Sequence, residues 1–221
     1  MRIVLTGSGS GGHFYPLIAI AEALATEARE RTLLPPELCL MGPDAYDTEA
    51  LFASGIAYRY VPAGKIRRYL SLQNIPDAAK TLAGIFVAFW KLLIWYPDVV
   101  ISKGSYTSVP VVIAAILLRI PIVIHESDVR PGRANALIAR FAHLIAVSYE
   151  DSAQYFPHSI SAKVFRVGIP VRRRLLQPPT TDLYHALAVA PPTSNKPLIV
   201  VLGGSQGAER VNDLIVTSLD E

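Results

Sequence analysis

The 221-residue chain has one cysteine, Cys39 in ELCLM, so no disulfide can form within it. Its place in an apolar, strand-like run predicts a buried thiol rather than a reactive one. Charge is also scarce: 18% of residues are charged and the net charge is +3, which makes no case for nucleic acid as a partner. No run reaches the ~18 to 20 uncharged apolar residues that a membrane-spanning helix needs. The first residues, one Arg followed at once by a strand and a glycine loop, lack the pattern of a signal peptide, so a cytoplasmic location is expected. Metal-ligand spacing is missing too, since His125 and Glu126 are adjacent and His143, His158 and His185 are scattered.

Apolar residues, by contrast, are plentiful at 51%, enough for a sizeable core in one large domain or one and a half. RIVLT, ELCLM, YRYVP, DVVIS, IPIVIHE, LIAVS and VFRVG read as strands, several of them without polar alternation, as in a parallel sheet covered on both faces. Residues 15–30, 44–54, 74–95, 107–118 and 131–142 read as helices. The alternation predicts a doubly wound, Rossmann-like α/β domain whose site lies in loops at the carboxyl ends of the strands. This domain is expected over residues 1–176. Residues 177–196, with Pro pairs near both ends, read as a linker. Residues 197–221 (strand, GGSQGA turn, helix) read as the truncated start of a second Rossmann-like domain. A normal domain has about 100 residues or more, so the chain is expected to be incomplete or completed by another polypeptide.

The loop GSGSGGH (residues 7–13) satisfies G-x-G-x-x-G, in which glycines let the backbone turn and approach a phosphate at a helix start. For a dinucleotide the loop also needs an acidic residue at the end of the second strand, and Asp44 in LMGPD is displaced from that place. His13 reads either as a helix-start residue bonded to a carbonyl or as a general base kept neutral by the positive helix end. In ISKGSYTSVP, Lys103, Ser105 and Tyr106 read either as an ordinary turn or as hydrogen-bond donors at a cleft edge. IPIVIHESD ends in His125 and Glu126, which as strand neighbours point to opposite faces, so only one faces the cleft. LAGIFVAFWKLLIWY (82–96) reads as a core helix or as a helix dipping into a membrane interface, and as too short to span a bilayer. The upstream basic residues of GKIRRY (64–69) favour an anionic surface.

Several of these motifs, in order and at matching spacing, resemble the MurG family of UDP-N-acetylglucosamine transferases. They are SGSGGHFYPLIAIAEAL, PDVVISKGSYTSVP, IPIVIHESD, PGRAN, GIPVR and GGSQGA with its helix. The resemblance covers residues 1 to about 215. It implies a GT-B fold whose amino-terminal domain binds the acceptor and meets the membrane. It also implies inverting transfer of N-acetylglucosamine from UDP-GlcNAc to the 4-hydroxyl of a polyprenyl-diphosphate-linked muramyl pentapeptide, in peptidoglycan synthesis. No cofactor or metal is implied, and the place implied is peripheral, at the cytoplasmic face of the plasma membrane. By this resemblance Ser10, Gly11, Gly12, Tyr106 and Asn135 fall on acceptor-side positions. His13 falls on the candidate base, with Glu126 as the alternative. Arg172, Ser205 and Gln206 fall on donor-side positions. Three residues depart from the family pattern: Ser8, Asp128 and Ile169. The family's uridine-reading residues lie beyond the resemblance, so the chain by itself is expected to be inactive. Two other classes remain open at this point, a non-catalytic acceptor-binding half of a split glycosyltransferase and a nucleotide-binding oxidoreductase.

Overall fold

Every second residue of the first strand faces the same way, and this decides both layers of the fold. Ile3 and Leu5 of β1 (Arg2–Thr6) pack with Phe14, Leu17 and Ile18 on one side of the sheet, while Val4 joins the core on the other. The same split separates Leu38 and Leu40 from Cys39 and Met41 in β2 (Glu37–Gly42). The computed structural model describes residues 1–65, 73–177, 199–203 and 207–218. They fall into two compact units, Met1–Arg173 and Arg174–Glu221.

The first unit continues through β3 (Ile56–Tyr60), β4 (Val99–Ser102), β5 (Ile122–Glu126), β6 (Leu144–Val147) and β7 (Val164–Arg166). All seven strands are parallel, in the order β3-β2-β1-β4-β5-β6-β7. The expected doubly wound α/β sheet is therefore present. The order reverses between β1 and β4, which opens a crevice at their carboxyl ends, where ligands bind in such sheets. One side is covered by α1 (Gly11–Glu30) and α2 (Thr48–Ala53), the other by α3 (Asn74–Trp95), α4 (Val109–Leu117) and α5 (Arg133–Ile138). Phe14 is fully buried at the start of α1, and burial of a side chain this size stabilises the fold by roughly 1.5–3 kcal/mol. Cys39 is buried as expected, and burial pushes its thiol up to about 11.

Local chemistry moves several boundaries. α1 begins at Gly11, not at residue 15, because Ser10 is extended and its carbonyl accepts the amides of His13 and Phe14 at 3.0 and 2.9 Å. α2 starts at Thr48, not 44, because the Asp47 carboxylate accepts the Ala50 amide at 2.9 Å as an N-cap. β3 starts at Ile56, two residues early, because it pairs with β2 from Leu38↔Ile56 to Gly42↔Tyr60. Residues 131–142 form a shorter helix, α5, followed by a 3₁₀ turn over Ala139–Phe141.

Helix α3 corrects the reading of 82–96 as too short to span. The helix has 22 residues and is long and apolar enough by length and composition to cross a membrane. Only Gly84, Ala88 and Leu92 are buried, a single row at four-residue spacing against the core. A Cβ on Gly84 would meet the Pro62 carbonyl at 1.9 Å, so this close approach admits only glycine.

In the second unit, α7 (Glu209–Ser218) forms as expected, after the short α6 (Arg173–Leu176) at the boundary between the units. No residue of α7 is buried. The strand expected from Pro197 is not found in Ile199–Gly203, which pairs with no strand among the described residues. A strand exists only through a partner's hydrogen bonds, and apolar sequence cannot supply one.

Candidate functional site

Three loops leave the carboxyl edge of the sheet side by side: residues 7–10 after β1, 103–108 after β4 and 127–132 after β5. The first two interlock. Gly7 has φ +124, and a Cβ there would lie 2.9 Å from the Gly104 carbonyl oxygen and 3.0 Å from Lys103 Cβ. On Gly9 (φ +140) a Cβ would meet Thr107 Cγ2 at 3.1 Å, and Thr107 Oγ1 donates to the Ser8 carbonyl. These two glycines are therefore needed for the packing of the two loops. Gly11 and Gly12 lie in the first turn of α1, where amides have no intrahelical acceptor.

The third loop is organised by Glu126, which is 4% exposed. Its Oε1 accepts the Asp128 amide at 3.0 Å, and its Oε2 accepts the Gly132 amide at 2.9 Å and Asn135 Nδ2 at 3.0 Å. Asn135 also donates to the His125 carbonyl at 3.4 Å. It packs so closely on Gly104 (φ +87) that a Cβ there would lie 2.8 Å from Nδ2.

The loops enclose a polar cavity of about 260 Å³. His13, Tyr106, Glu126 and Asn135 line it together, four residues singled out in the sequence and up to 122 positions apart (135 − 13). Lys103, Ser105, Asp128 and Arg133 complete its wall. Sequence reasoning gave Arg133 no role and treated Asp128 only as a departure, although both lie in motifs it had quoted. Burial, then the Lys103 ammonium, hold His13 below the ordinary histidine value, against the opposing pull of Glu126 and Asp128. Its Nδ1 is 2.8 Å from Ser10 Oγ. Lys103 is 3% exposed, and burial lowers its pKa while Glu126 and Asp128 raise it. Burial raises the Tyr106 phenol.

His125 faces the other way, as its place beside Glu126 predicts. Its Nε2 donates to the Gly168 carbonyl at 3.2 Å, and it lines a separate, mainly apolar cavity with Ala19, Ile20 and Ile169. Ile169 therefore borders His125, not His13. Arg172 is not brought to the His13 cavity either: its guanidinium lies 4.0 Å from the Tyr15 ring centre, on the flank of α1. Ser10 touches the site through His13. Ser205 and Gln206 lie outside the described residues, as do Arg67 and Arg68 of the basic stretch, whereas Lys65 is exposed. Among the described residues no three His, Cys, Asp or Glu side chains cluster as metal ligands would.

The profile of the glycosyltransferase family 28 N-terminal domain matches residues 3–147, which include this cavity. The chain belongs to that family. Curated relatives carry the name UDP-N-acetylglucosamine–N-acetylmuramyl-(pentapeptide) pyrophosphoryl-undecaprenol N-acetylglucosamine transferase. The one from Treponema denticola is 37% identical over 221 residues, covering 99% of this chain and 56% of the relative. A Bacillus cereus relative is 35% identical over 220 residues, covering 100% of this chain and 59% of its own length. The chain thus spans little more than half the length of the curated relatives it matches. Among solved structures, Acinetobacter baumannii MurG superposes with a TM-score of 0.58 at 22% identity, over 80% of this chain and 47% of that one. A Neisseria meningitidis UDP-GlcNAc 2-epimerase bound to UDP-GlcNAc superposes with a TM-score of 0.53 at 20% identity, over 77% and 47%. These two establish the GT-B-type fold. The resemblance to the MurG family is borne out.

Proposed function

We propose that this chain forms the acceptor side of an inverting N-acetylglucosaminyltransferase that acts on a polyprenyl-diphosphate-linked N-acetylmuramyl pentapeptide. The observation that carries this reading is the gathering of His13, Tyr106, Glu126 and Asn135 around one polar cavity at the switch point of the sheet. In this reading His13 is the base. Nδ1 is 2.8 Å from Ser10 Oγ, and this role needs the tautomer in which Nδ1–H donates to that oxygen, leaving Nε2 to take the proton of the acceptor hydroxyl. The hydroxyl oxygen then attacks the anomeric carbon, and the bond to UDP breaks with its electrons leaving on UDP. A single displacement inverts the anomeric centre. Glu126 spends both carboxylate oxygens on its own loop, so it acts as a positioning residue and Asn135 as its partner. Gly11 and Gly12 offer amides to the acceptor diphosphate at the positive end of α1. Arg172, Ser205 and Gln206 serve the UDP-sugar, and neither a cofactor nor a metal is used.

Docking at the cytoplasmic face of the membrane falls to α3. Leu82, Phe86, Trp90 and Ile94 recur every four residues on its exposed side, at 68, 66, 48 and 80% exposure. Basic residues 64–69 add attraction to anionic lipid.

The decisive experiment is binding of farnesyl-diphosphate-linked N-acetylmuramyl pentapeptide to the 221-residue chain. Saturable binding that is lost in His13→Ala together with Tyr106→Ala is expected, and no binding to the unmodified chain rejects the reading. Separately, the chain should sediment with anionic phospholipid vesicles, and Phe86→Glu with Trp90→Glu should release it. Retention of the double variant would reject α3 as the docking face.

A further inference from the structure

Ser105 stands at φ 72, ψ 160, a backbone region that is almost exclusively glycine's. Its carbonyl accepts the Ser108 amide at 3.2 Å and the Ser108 hydroxyl at 2.9 Å, and these bonds hold it there. A glycine would relieve the strain and keep both of them, because they use only the backbone of residue 105. What a serine adds is its hydroxyl, which has no partner among the described residues, in a side chain that lines the His13 cavity. Two residues away, Lys103 lines the same cavity. Its side chain is withdrawn from water, and among the described residues its ammonium meets no carboxylate or carbonyl within bonding distance. The ammonium itself opens on the cavity, where an incoming oxygen acceptor would gain a charge-assisted hydrogen bond. Two unspent donors thus share one wall, and at one of them the backbone is strained.

We propose that Ser105 and Lys103 form a subsite for the carbonyl-bearing substituent next to the hydroxyl that His13 deprotonates. In an N-acetylmuramyl sugar this is the 3-O-lactyl group that carries the peptide. The inference rests on the functional reading above. The attacking 4-hydroxyl and the diphosphate on carbon 1 sit at opposite ends of the pyranose ring. Donors that share a cavity with His13 therefore meet the neighbours of the hydroxyl, and the lactyl group on carbon 3 is the nearest carbonyl-bearing one. The subsite makes the chain select a muramyl acceptor over a glucosaminyl one, which lacks the lactyl group.

Two probes test this on the 221-residue chain: farnesyl-diphosphate-linked N-acetylmuramyl pentapeptide and farnesyl-diphosphate-linked N-acetylglucosamine. The unmodified chain should prefer the muramyl probe. Ser105→Gly and Ser105→Ala should each weaken that probe about five- to tenfold and leave the glucosamine probe unchanged, as expected for one lost hydrogen bond. Lys103→Met should weaken the muramyl probe tenfold or more, a charged donor being stronger. The serine variants also separate strain from recognition. Ser105→Gly should raise Tm by roughly 2–4 °C through relief of the backbone, and Ser105→Ala should not. Equal weakening of both probes would place the donors on the shared diphosphate and overturn the proposal. So would unchanged binding of the muramyl probe in the variants, or an unmodified chain with no preference. An unmodified chain that binds neither probe rejects the functional reading itself, a different failure from one confined to the variants.

Discussion

His125 and Glu126 are neighbours on β5, yet they serve two unlike cavities. On one side of the sheet edge, Glu126 collects three donors and braces a polar cavity of about 260 Å³ that holds His13, Lys103 and Asp128. On the other, His125 borders a cavity of about 360 Å³ walled mainly by aliphatic residues, with one ring nitrogen bonded to Gly168 and Nδ1 unpaired. Burial lowers the pKa of both His13 and His125, so the direction of the shift does not distinguish them. What distinguishes them is company: His13 has an oxygen partner for Nδ1 and a polar space beyond it, whereas His125 is tied to the backbone that leads towards Arg172. In the proposed function one histidine exchanges protons, while the other holds a turn.

The largest expected effect is kinetic. In a chimera that joins this chain to the part of the Treponema denticola relative beyond the match, His13→Ala should lower kcat by about 10²–10⁴-fold with the KM for UDP-GlcNAc nearly unchanged. His125→Ala in the same background should keep kcat within a fewfold. Steady-state assays with radiolabelled UDP-GlcNAc check both, and equal losses would erase the distinction between the two cavities. Next in size is Glu126→Ala, which takes the carboxylate acceptor from the Asp128 and Gly132 amides and from the buried Asn135 side chain. It should destabilise the first unit by about 3 kcal/mol in urea denaturation. A loss under 1 kcal/mol would mean the loop does not depend on that carboxylate.

The smallest effect is the dependence of stability on pH. Below the ordinary histidine value of 6.5 the unfolded chain binds more protons at His13 and His125 than the folded one does. Their contribution is therefore fully present above 6.5 and is lost as pH falls through the lower, folded-state values. Thermal denaturation from about pH 7 to about pH 5 should show Tm falling, with a shallower fall in His125→Gln. An unchanged slope in that variant would show that His125 does not contribute.

Much of this arrangement can be read in the sequence. The seven apolar runs became seven strands because buried parallel strands need no polar alternation, and the opposed directions of His125 and Glu126 follow from the period of a strand. The role of the glycines could not be read in the same way. Gly7 and Gly9 fit a phosphate-loop pattern, but their neighbours are Lys103, Gly104 and Thr107, nearly a hundred residues away. α3 and α4 are both apolar, yet α4 has six buried residues of nine and α3 three of 22. Composition does not reveal which face of a helix meets a neighbour.

The sequence alone determined the order of strands and helices, the turns after β1, β4 and β5, and the chemical types those turns carry, because these depend on periodicities and caps spanning a few residues. Only the tertiary structure decided that β4 lies beside β1. That adjacency packs the Lys103–Thr107 loop on the first glycine loop, gathers His13 and Glu126 at one cavity and leaves His125 and Arg172 outside it. Strand order is set by crossover helices that bury their faces across the whole sheet, so no local stretch of chain encodes it.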